Sequence, residues 1–277
     1  MTITTFANSL TFTKSNFKQD ALQGKTILIT GASSGIGEAL AYQLAHLDVH
    51  LILVARRGER LAEMKREMES LSATVSVCRA DLRVQEEMDA LLAHLSRQQG
   101  GVDVFVSNAG HSIHRRLMDS LDRYHDFTRT MAINYFAPVR LVLALIPQLR
   151  RNRGQVINVS TINASLIPFP YWAAYQASKS AFDTWFRSAA PEMNAAGIAT
   201  TSIYFPLVRT PMIEPTAAYR SMPAMSPDRA ARIIVNAMLT RRRIYRPWWL
   251  VLGAITSVLG RGLWERIAPW FMARRGE

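Results

Sequence analysis

The sequence predicts an α/β fold: a three-layer, doubly wound parallel sheet of about seven strands. It divides into an N-terminal extension over residues 1–23, a single domain over 24–243 and a C-terminal apolar and basic helical tail over 244–277. Three observations carry this reading. A chain of 277 residues that is 49% hydrophobic and 19% charged is long enough to bury one large core. That composition excludes intrinsic disorder, collagen and small disulfide scaffolds. Short β-branched runs alternate with segments of helical periodicity, and the first run leads at once into a glycine-rich turn that opens a helix.

The elements follow in order. Lys25–Thr30 (KTILIT) reads as a strand, followed by the glycine-rich turn and a helix over 36–47. The alternation continues with strand 49–55, helix 59–71, strand 74–79, helix 85–97 and strand 102–107. After a long helical stretch over 122–149 come strand 155–160, helix 174–194 and strand 199–204. Strands separated by helices pair in parallel through right-handed crossovers, which places ligands at the strands' carboxyl ends. No repeat, low-complexity segment or shift of composition marks a second domain before the tail.

The lone cysteine, Cys78, has no intramolecular partner, so nothing demands an oxidising compartment and a cytoplasmic setting is expected. Residues 1–22 are threonine-rich and lack a basic stretch followed by an apolar core, so no secretory signal is expected, and no uninterrupted apolar run reaches the ~20 residues that span a bilayer. The formal charge is +12, and half of the excess lies in the last 37 residues, where eight arginines face two glutamates. That stretch also holds four of the six tryptophans (Trp248, Trp249, Trp264 and Trp270). Arginine mixed with tryptophan suits a lipid headgroup layer better than a nucleic-acid groove, and no paired recognition motif supports nucleic acid.

Thr30-Gly31-Ala32-Ser33-Ser34-Gly35-Ile36-Gly37 sits between the first strand and the first helix. Glycines permit the tight turn and a close approach to a pyrophosphate, and the helix amino end offers free N–H groups to the anion. Dinucleotide binding by Gly31, Ser33, Ser34, Gly35, Ile36 and Gly37 is the expectation. An acid usually ends the second strand when the ligand is NAD, whereas this chain has Ala55-Arg56-Arg57. Guanidiniums cannot accept from ribose hydroxyls but bind a 2′-phosphate, so NADPH/NADP is expected; the alternative is that Arg56 and Arg57 only open a solvated helix. Tyr175 and Lys179 stand at i and i+4 on one helix face, where an ammonium would favour the phenolate.

Together these motifs resemble the short-chain dehydrogenase/reductase superfamily, a Rossmann fold, over about residues 24–240. Its TGxxxGxG is similar to Thr30 through Gly37, and its adenine-side Asp to Asp81, next to Leu82. Its N-A-G turn resembles Asn108-Ala109-Gly110, with Ser107 replacing the usual first Asn, and its mid-helix Asn resembles Asn134. The resemblance implies that Tyr175 is the acid, that Lys179 lowers its pKa and grips the nicotinamide ribose, and that Asn134 holds a water refilling the proton. The superfamily's catalytic hydroxyl falls on Thr161 when counted from Gly154, but one extra residue lies between this strand and Tyr175, so Ser160 is the alternative. The P-G-x-V-x-T segment reads Pro206-Leu207-Val208-Arg209-Thr210, and Pro206, Val208 and Thr210 are expected to meet the nicotinamide.

Several stretches resemble bacterial fatty acyl-CoA reductases of this superfamily more narrowly: Asn108-Ala-Gly-His-Ser-Ile, Asp122-Arg-Tyr-His-Asp-Phe, Val139-Arg-Leu-Val-Leu and Pro206-Leu-Val-Arg-Thr-Pro-Met-Ile. That resemblance implies NADPH-dependent reduction of a long-chain fatty acyl thioester to the aldehyde. The alternatives are a ketone reductase for a 3-oxoacyl, steroid or polyketide substrate, and an NADPH-binding regulatory protein without turnover. His111, Ser112, His114, Arg115 and Arg116 read as a solvated basic loop or as ligands of CoA phosphates. The six histidines and one cysteine show no metal-ligand spacing, so no metal is expected. Apolar excess on the helices around 124–149 and 174–194 suggests a homodimer or homotetramer, with Trp185 and Phe186 serving either interface or core. The 12-residue apolar run Trp248–Leu259 is too short to span; a helix lying on the inner membrane surface or covering the pocket is expected, against an ordinary packed segment.

Overall fold

The computed structural model describes residues 20–274 apart from 215, 217, 218 and 220. Most of the N-terminal extension, and Arg275 of the tail, lie outside the described residues. Seven strands form one sheet: β1 (Lys25–Thr30), β2 (Val49–Ala55), β3 (Thr74–Arg79), β4 (Val104–Ser107), β5 (Gln155–Thr161), β6 (Ala199–Phe205) and β7 (Ile244–Tyr245). Every pairing is parallel, in the order β3-β2-β1-β4-β5-β6-β7. The order reverses between β1 and β4, and a crevice opens where the connections leave in opposite directions.

Both faces of the sheet are covered, which explains the continuous apolar runs. Ile27 and Ile29 of β1 point to one face, with Leu51 and Leu53 of β2, and pack against α1 (Gly35–Leu44), α2 (Gly58–Met68) and α7 (Pro227–Thr240). Leu28, Ile52 and Val54 point the other way, onto α3 (Gln85–Ser96), α5 (Ala137–Arg151) and α6 (Ala173–Ala195). The helix α4 (Tyr124–Met131) joins α5 through a wide π turn, Ala132–Phe136, and packs on α6.

The strands β1 to β3 begin and end where the periodicity places them, whereas β4 begins at Val104, because Val102 and Asp103 are held outside the ladder by Gln148 and the Thr26 carbonyl. Two elements were not foreseen. The helix α7 starts at Pro227 behind Ser226, whose hydroxyl accepts from Arg229 N (3.2 Å), a start signal readable in Ser-Pro-Asp. The strand β7 has only two residues, aligned with Ser202 and Ile203. By length and hydropathy the segment Tyr124–Arg151 is sufficient to cross a membrane, yet its Leu141, Val142, Leu145 and Leu149 are buried against the sheet. Phe186 is core; Trp185 is half-buried and stacks on Phe182. The tail forms α8 (Trp248–Leu259) and α9 (Arg261–Arg274).

Candidate active site

At the carboxyl edge of the sheet the loops after β1, β4, β5 and β6 enclose a cleft of about 420 Å³. The glycine-rich loop forms its floor, with Gly31, Ser34, Gly35 and Ile36 exposed to it. Gly31 and Gly35 have φ of 66° and 58°, which only glycine adopts without strain. A Cβ at Gly35 would stand 2.8 Å from Thr210 Cγ2, and one at Gly37 would stand 2.4 Å from the Gly31 carbonyl oxygen. Gly37 therefore serves helix-to-loop packing and does not line the cleft, and Ser33 is buried beside it.

The N-A-G turn presses against this loop. Asn108 Nδ2 donates to the Thr30 and Gly31 carbonyls (3.0 and 3.3 Å), and Asn108 N and Ala109 N donate to Thr30 Oγ1 (3.2 Å each). Asn108, Ala109 and Gly110 all reach the cleft, so the Asn108 amide holds the loop that a ligand would touch. Thr30, which sequence reasoning treated only as part of the motif, is the hub of this contact and also donates to Val106 O (3.2 Å).

At the ends of β2 and β3 stand the groups expected beside the adenosine. Arg57 Nε donates to Ser33 Oγ (3.2 Å) and one Nη to Ser33 O (2.8 Å), drawing the second loop onto the first. The Arg56 guanidinium is exposed and makes no hydrogen bond or ion pair among the described residues. Asp81 is engaged by Arg83 in a forked pair (2.9 and 2.6 Å), which holds its carboxyl below the usual range against the opposing effect of burial, and Leu82 is buried beside it. These residues flank the cleft but do not line it.

On the opposite wall, Thr161 ends β5; its Oγ1 accepts from Asn163 N (3.3 Å), and its hydroxyl lies close enough to Tyr175 to favour the phenolate. Ser160 reaches the same cleft, but its buried Oγ makes no hydrogen bond among the described residues. Neighbouring strand residues point to opposite faces, so one position separates the two. In the loop between β5 and α6, Tyr171 adopts a left-handed φ of 70°. Gln176 pins that loop: its amide donates to the Asn163, Leu166 and Ile167 carbonyls and its Oε1 accepts from Phe169 N (2.9 Å). Sequence reasoning missed Gln176, although a polar residue between Tyr175 and Lys179 was in view.

Burial pushes the Tyr175 phenol up to about 12, and the Thr161 hydroxyl is the group that opposes this. Lys179, expected to make the phenol more acidic, donates from Nζ to Val159 O (3.0 Å). Burial in turn pushes Lys179 down to about 8, with Asp183 opposing. The Asn134 side chain is also fully engaged: Oδ1 accepts from His111 N (2.9 Å), and Nδ2 donates to His111 O and Ser178 Oγ (2.9 Å each). Asn134 is buried and does not line the cleft. The π turn, with Ala137 N bonded to Ala132 O, frees a carbonyl of the helix ladder beside Asn134.

The outer part of the cleft is apolar: Trp172, Leu207, Met212, Ile213, Tyr219 and Met222. Trp172 stacks on Tyr219 (5.6 Å) and meets the Tyr175 ring edge-on (5.7 Å); neither was singled out from sequence. Pro206, Val208 and Thr210 line the same wall, and Leu207 is accommodated because the segment is extended and paired with Met225. In the loop after Gly110, Arg115 pairs with the buried Asp126 (3.3 Å) and His114 packs on Trp172, while Arg116 stays exposed. Among the described residues no cluster of His, Cys, Asp or Glu is arranged to hold a metal.

A left-handed glycine floor at the reversal of strand order, facing a half-buried Tyr-Thr-Lys constellation, defines a dinucleotide-dependent oxidoreductase. A family model of short chain dehydrogenases matches residues 25–220, and the chain belongs to that family. A fatty acyl-CoA reductase of Acinetobacter baylyi is 44% identical over 224 residues, 80% of this chain and 76% of that protein. A fatty acyl-CoA reductase of Mycobacterium tuberculosis is 41% identical over 221 residues, 79% and 75% of the two chains. Among solved structures, L-sorbose reductase from Gluconobacter frateurii complexed with NADPH and L-sorbose superposes with a TM-score of 0.71 at 26% identity, covering 80% of this chain and 93% of that one.

Proposed function

We propose that this chain is an NADPH-dependent reductase that converts a long-chain fatty acyl thioester, most simply acyl-CoA, to the aldehyde. The observation that carries the reading is the meeting of Thr161, Tyr175 and Lys179 in one cleft whose outer part is an apolar slot walled by Trp172, Met212, Tyr219 and Met222. The names of the two bacterial relatives support the thioester as substrate. The site fits the coenzyme: the cradle at Gly31 and Gly35 is one a Cβ would fill, and the exposed Arg56 suits a 2′-phosphate.

When bound, NADPH supplies a hydride to the carbonyl carbon. Tyr175 gives its phenolic proton to the carbonyl oxygen, and Thr161 donates to the phenolate that remains. Lys179 holds the ribose and offers its positive charge to the same phenolate once drawn from Val159 O. The hemithioacetal so formed loses its thiol as the C–S bond breaks and the carbonyl reforms, because a thiol of pKa ~8.5 leaves far more readily than an alkoxide. The main chain at the π turn, with the Asn134 amide bracing it, holds the water that returns the proton to Tyr175.

Purified protein mixed with NADPH and a panel of long-chain acyl-CoAs tests this. One free thiol and one aldehyde should appear per NADPH consumed. Turnover of ketones with none of acyl-CoA would establish the second reading, which L-sorbose, a ketone substrate in a structural neighbour, favours. Tight NADPH binding with no turnover of either would leave the regulatory alternative. The exposed Phe136 and Leu143 on the helix carrying Asn134 support a homodimer through that face, for which light scattering is the test.

A further inference from the structure

We propose that α8 and α9 dock this protein on an anionic lipid surface, with the mouth of the cleft beside the bilayer. An amphipathic helix of a globular domain normally turns its apolar stripe inward. In α8 the stripe points out. Trp248, Leu252, Ile255 and Leu259, spaced four, three and four residues apart on one helix face, are 79%, 59%, 53% and 82% exposed. On the opposite face only Leu250 is buried, and the backbone at Gly253 lies against Leu166, where a Cβ would be 3.6 Å from Leu166 Cδ2. The helix is therefore seated on the body of the protein by one side and presents its most apolar side to the surroundings. The next helix continues the pattern with Leu263, Ile267 and Phe271 exposed.

Charge chooses the occupant. Between residues 241 and 274 there are seven arginines and one acid, Glu265, which Arg261 already engages (2.8 Å). Arg242, Arg243 and Arg246 lie exposed just before Trp248. A second copy seated on this stripe would bring arginine against arginine, whereas anionic headgroups match the basic rim and acyl chains match the stripe. At 12 residues, about 18 Å, α8 lies in the headgroup layer and does not span it. Placement follows from Leu166: it belongs to the loop that Gln176 pins, and Ile162 and Asn163 of that loop line the cleft. The docking goes beyond the reductase reading and does not depend on it.

Flotation of the full chain with vesicles of phosphatidylcholine, alone or mixed with phosphatidylglycerol, is the test. The wild type should float with the mixed vesicles only, and raising the salt should release it. Each arginine near the surface contributes about five-fold to partitioning, so reversing Arg242, Arg243 and Arg246 to Glu should weaken binding by more than about a hundred-fold. The triple variant Trp248→Ala, Leu252→Ser, Leu259→Ser alters exposed side chains only, so it should keep the wild-type melting temperature and lose at least about ten-fold in vesicle binding. Wild type left unbound by mixed vesicles, or a triple variant that floats like wild type, overturns the proposal. So does a triple variant that turns a dimer into a monomer by light scattering, which makes a second copy the occupant. Because flotation requires no turnover, its outcome is separable from that of the substrate assay.

Discussion

Replacing Arg56 and Arg57 singly by Ala should separate the two coenzymes, and the geometry sets unequal losses. Arg57 already uses Nε and one Nη on Ser33, which leaves a single donor group for a 2′-phosphate. Arg56 has its whole fork available, but it is exposed, so its charge-assisted bonds belong at the low end of their range. A fork at such a site is worth about 2–3 kcal/mol and a single contact about 1.4 kcal/mol. Arg56→Ala should then lower kcat/KM for NADPH by roughly 30- to 160-fold relative to NADH, and Arg57→Ala by roughly ten-fold. Arg57→Ala should also weaken both coenzymes together, because the tie to Ser33 shapes the glycine-rich loop itself. The assay is initial rate at 340 nm with each coenzyme titrated against a fixed saturating substrate. Equal losses for NADPH and NADH in Arg56→Ala, or a ratio within two-fold of wild type, would refute the phosphate role.

Thr161→Val should reduce kcat by about 10²- to 10³-fold with coenzyme affinity kept, while Ser160→Ala should stay within about three-fold, since Thr161 is the hydroxyl that acts on Tyr175 and Ser160 Oγ is buried without a partner among the described residues; steady-state kinetics at saturating NADPH checks both. If the charged form of Lys179 is the working one, kcat/KM should fall as pH rises through about 8; Asp183 raises that pKa, so Asp183→Asn should move the falling limb to lower pH, and an unmoved limb would exclude the pairing. Gly37→Ala forces a Cβ to 2.4 Å from the Gly31 carbonyl and should lower Tm by roughly 4–10 °C in a thermal melt. Gln176→Leu leaves the carbonyls of Asn163, Leu166 and Ile167 without their donor; it should raise the substrate KM and make the 163–169 amides exchange faster with deuterium.

How far the sequence reached depends on how local each signal is. The strands β1 to β3 lie in the sheet interior or pair along their whole length, so their apolar runs mark their own ends. The i, i+4 spacing of Tyr175 and Lys179 put both on the cleft side of α6. What was lost depends on contacts between distant segments. Trp172 and Tyr219 meet across 47 residues, and nothing near either one announces the stack. Ser160 and Thr161 both line the cleft, and what differs between them, a buried unpartnered Oγ at Ser160 and an effect on the Tyr175 phenol at Thr161, involves other elements that residue counting does not see. The effect of Lys179 on Tyr175 was read from spacing and resemblance; the carbonyl of Val159, to which the lysine donates, belongs to a different element.

The stitching of Asn108 and Thr30 across the loops after β1 and β4 has a kinetic corollary. That half of the cavity is assembled when the chain folds, so little ordering entropy remains to be lost when the coenzyme arrives. On the facing wall, Leu207 and Arg209 are bonded to the Met225 backbone and Tyr219 stacks on Trp172, so the substrate side is built by contacts outside the coenzyme floor. Addition should therefore be sequential, coenzyme leading and the second reactant entering afterwards, with spent coenzyme departing last and competing directly with fresh NADPH as an inhibitor.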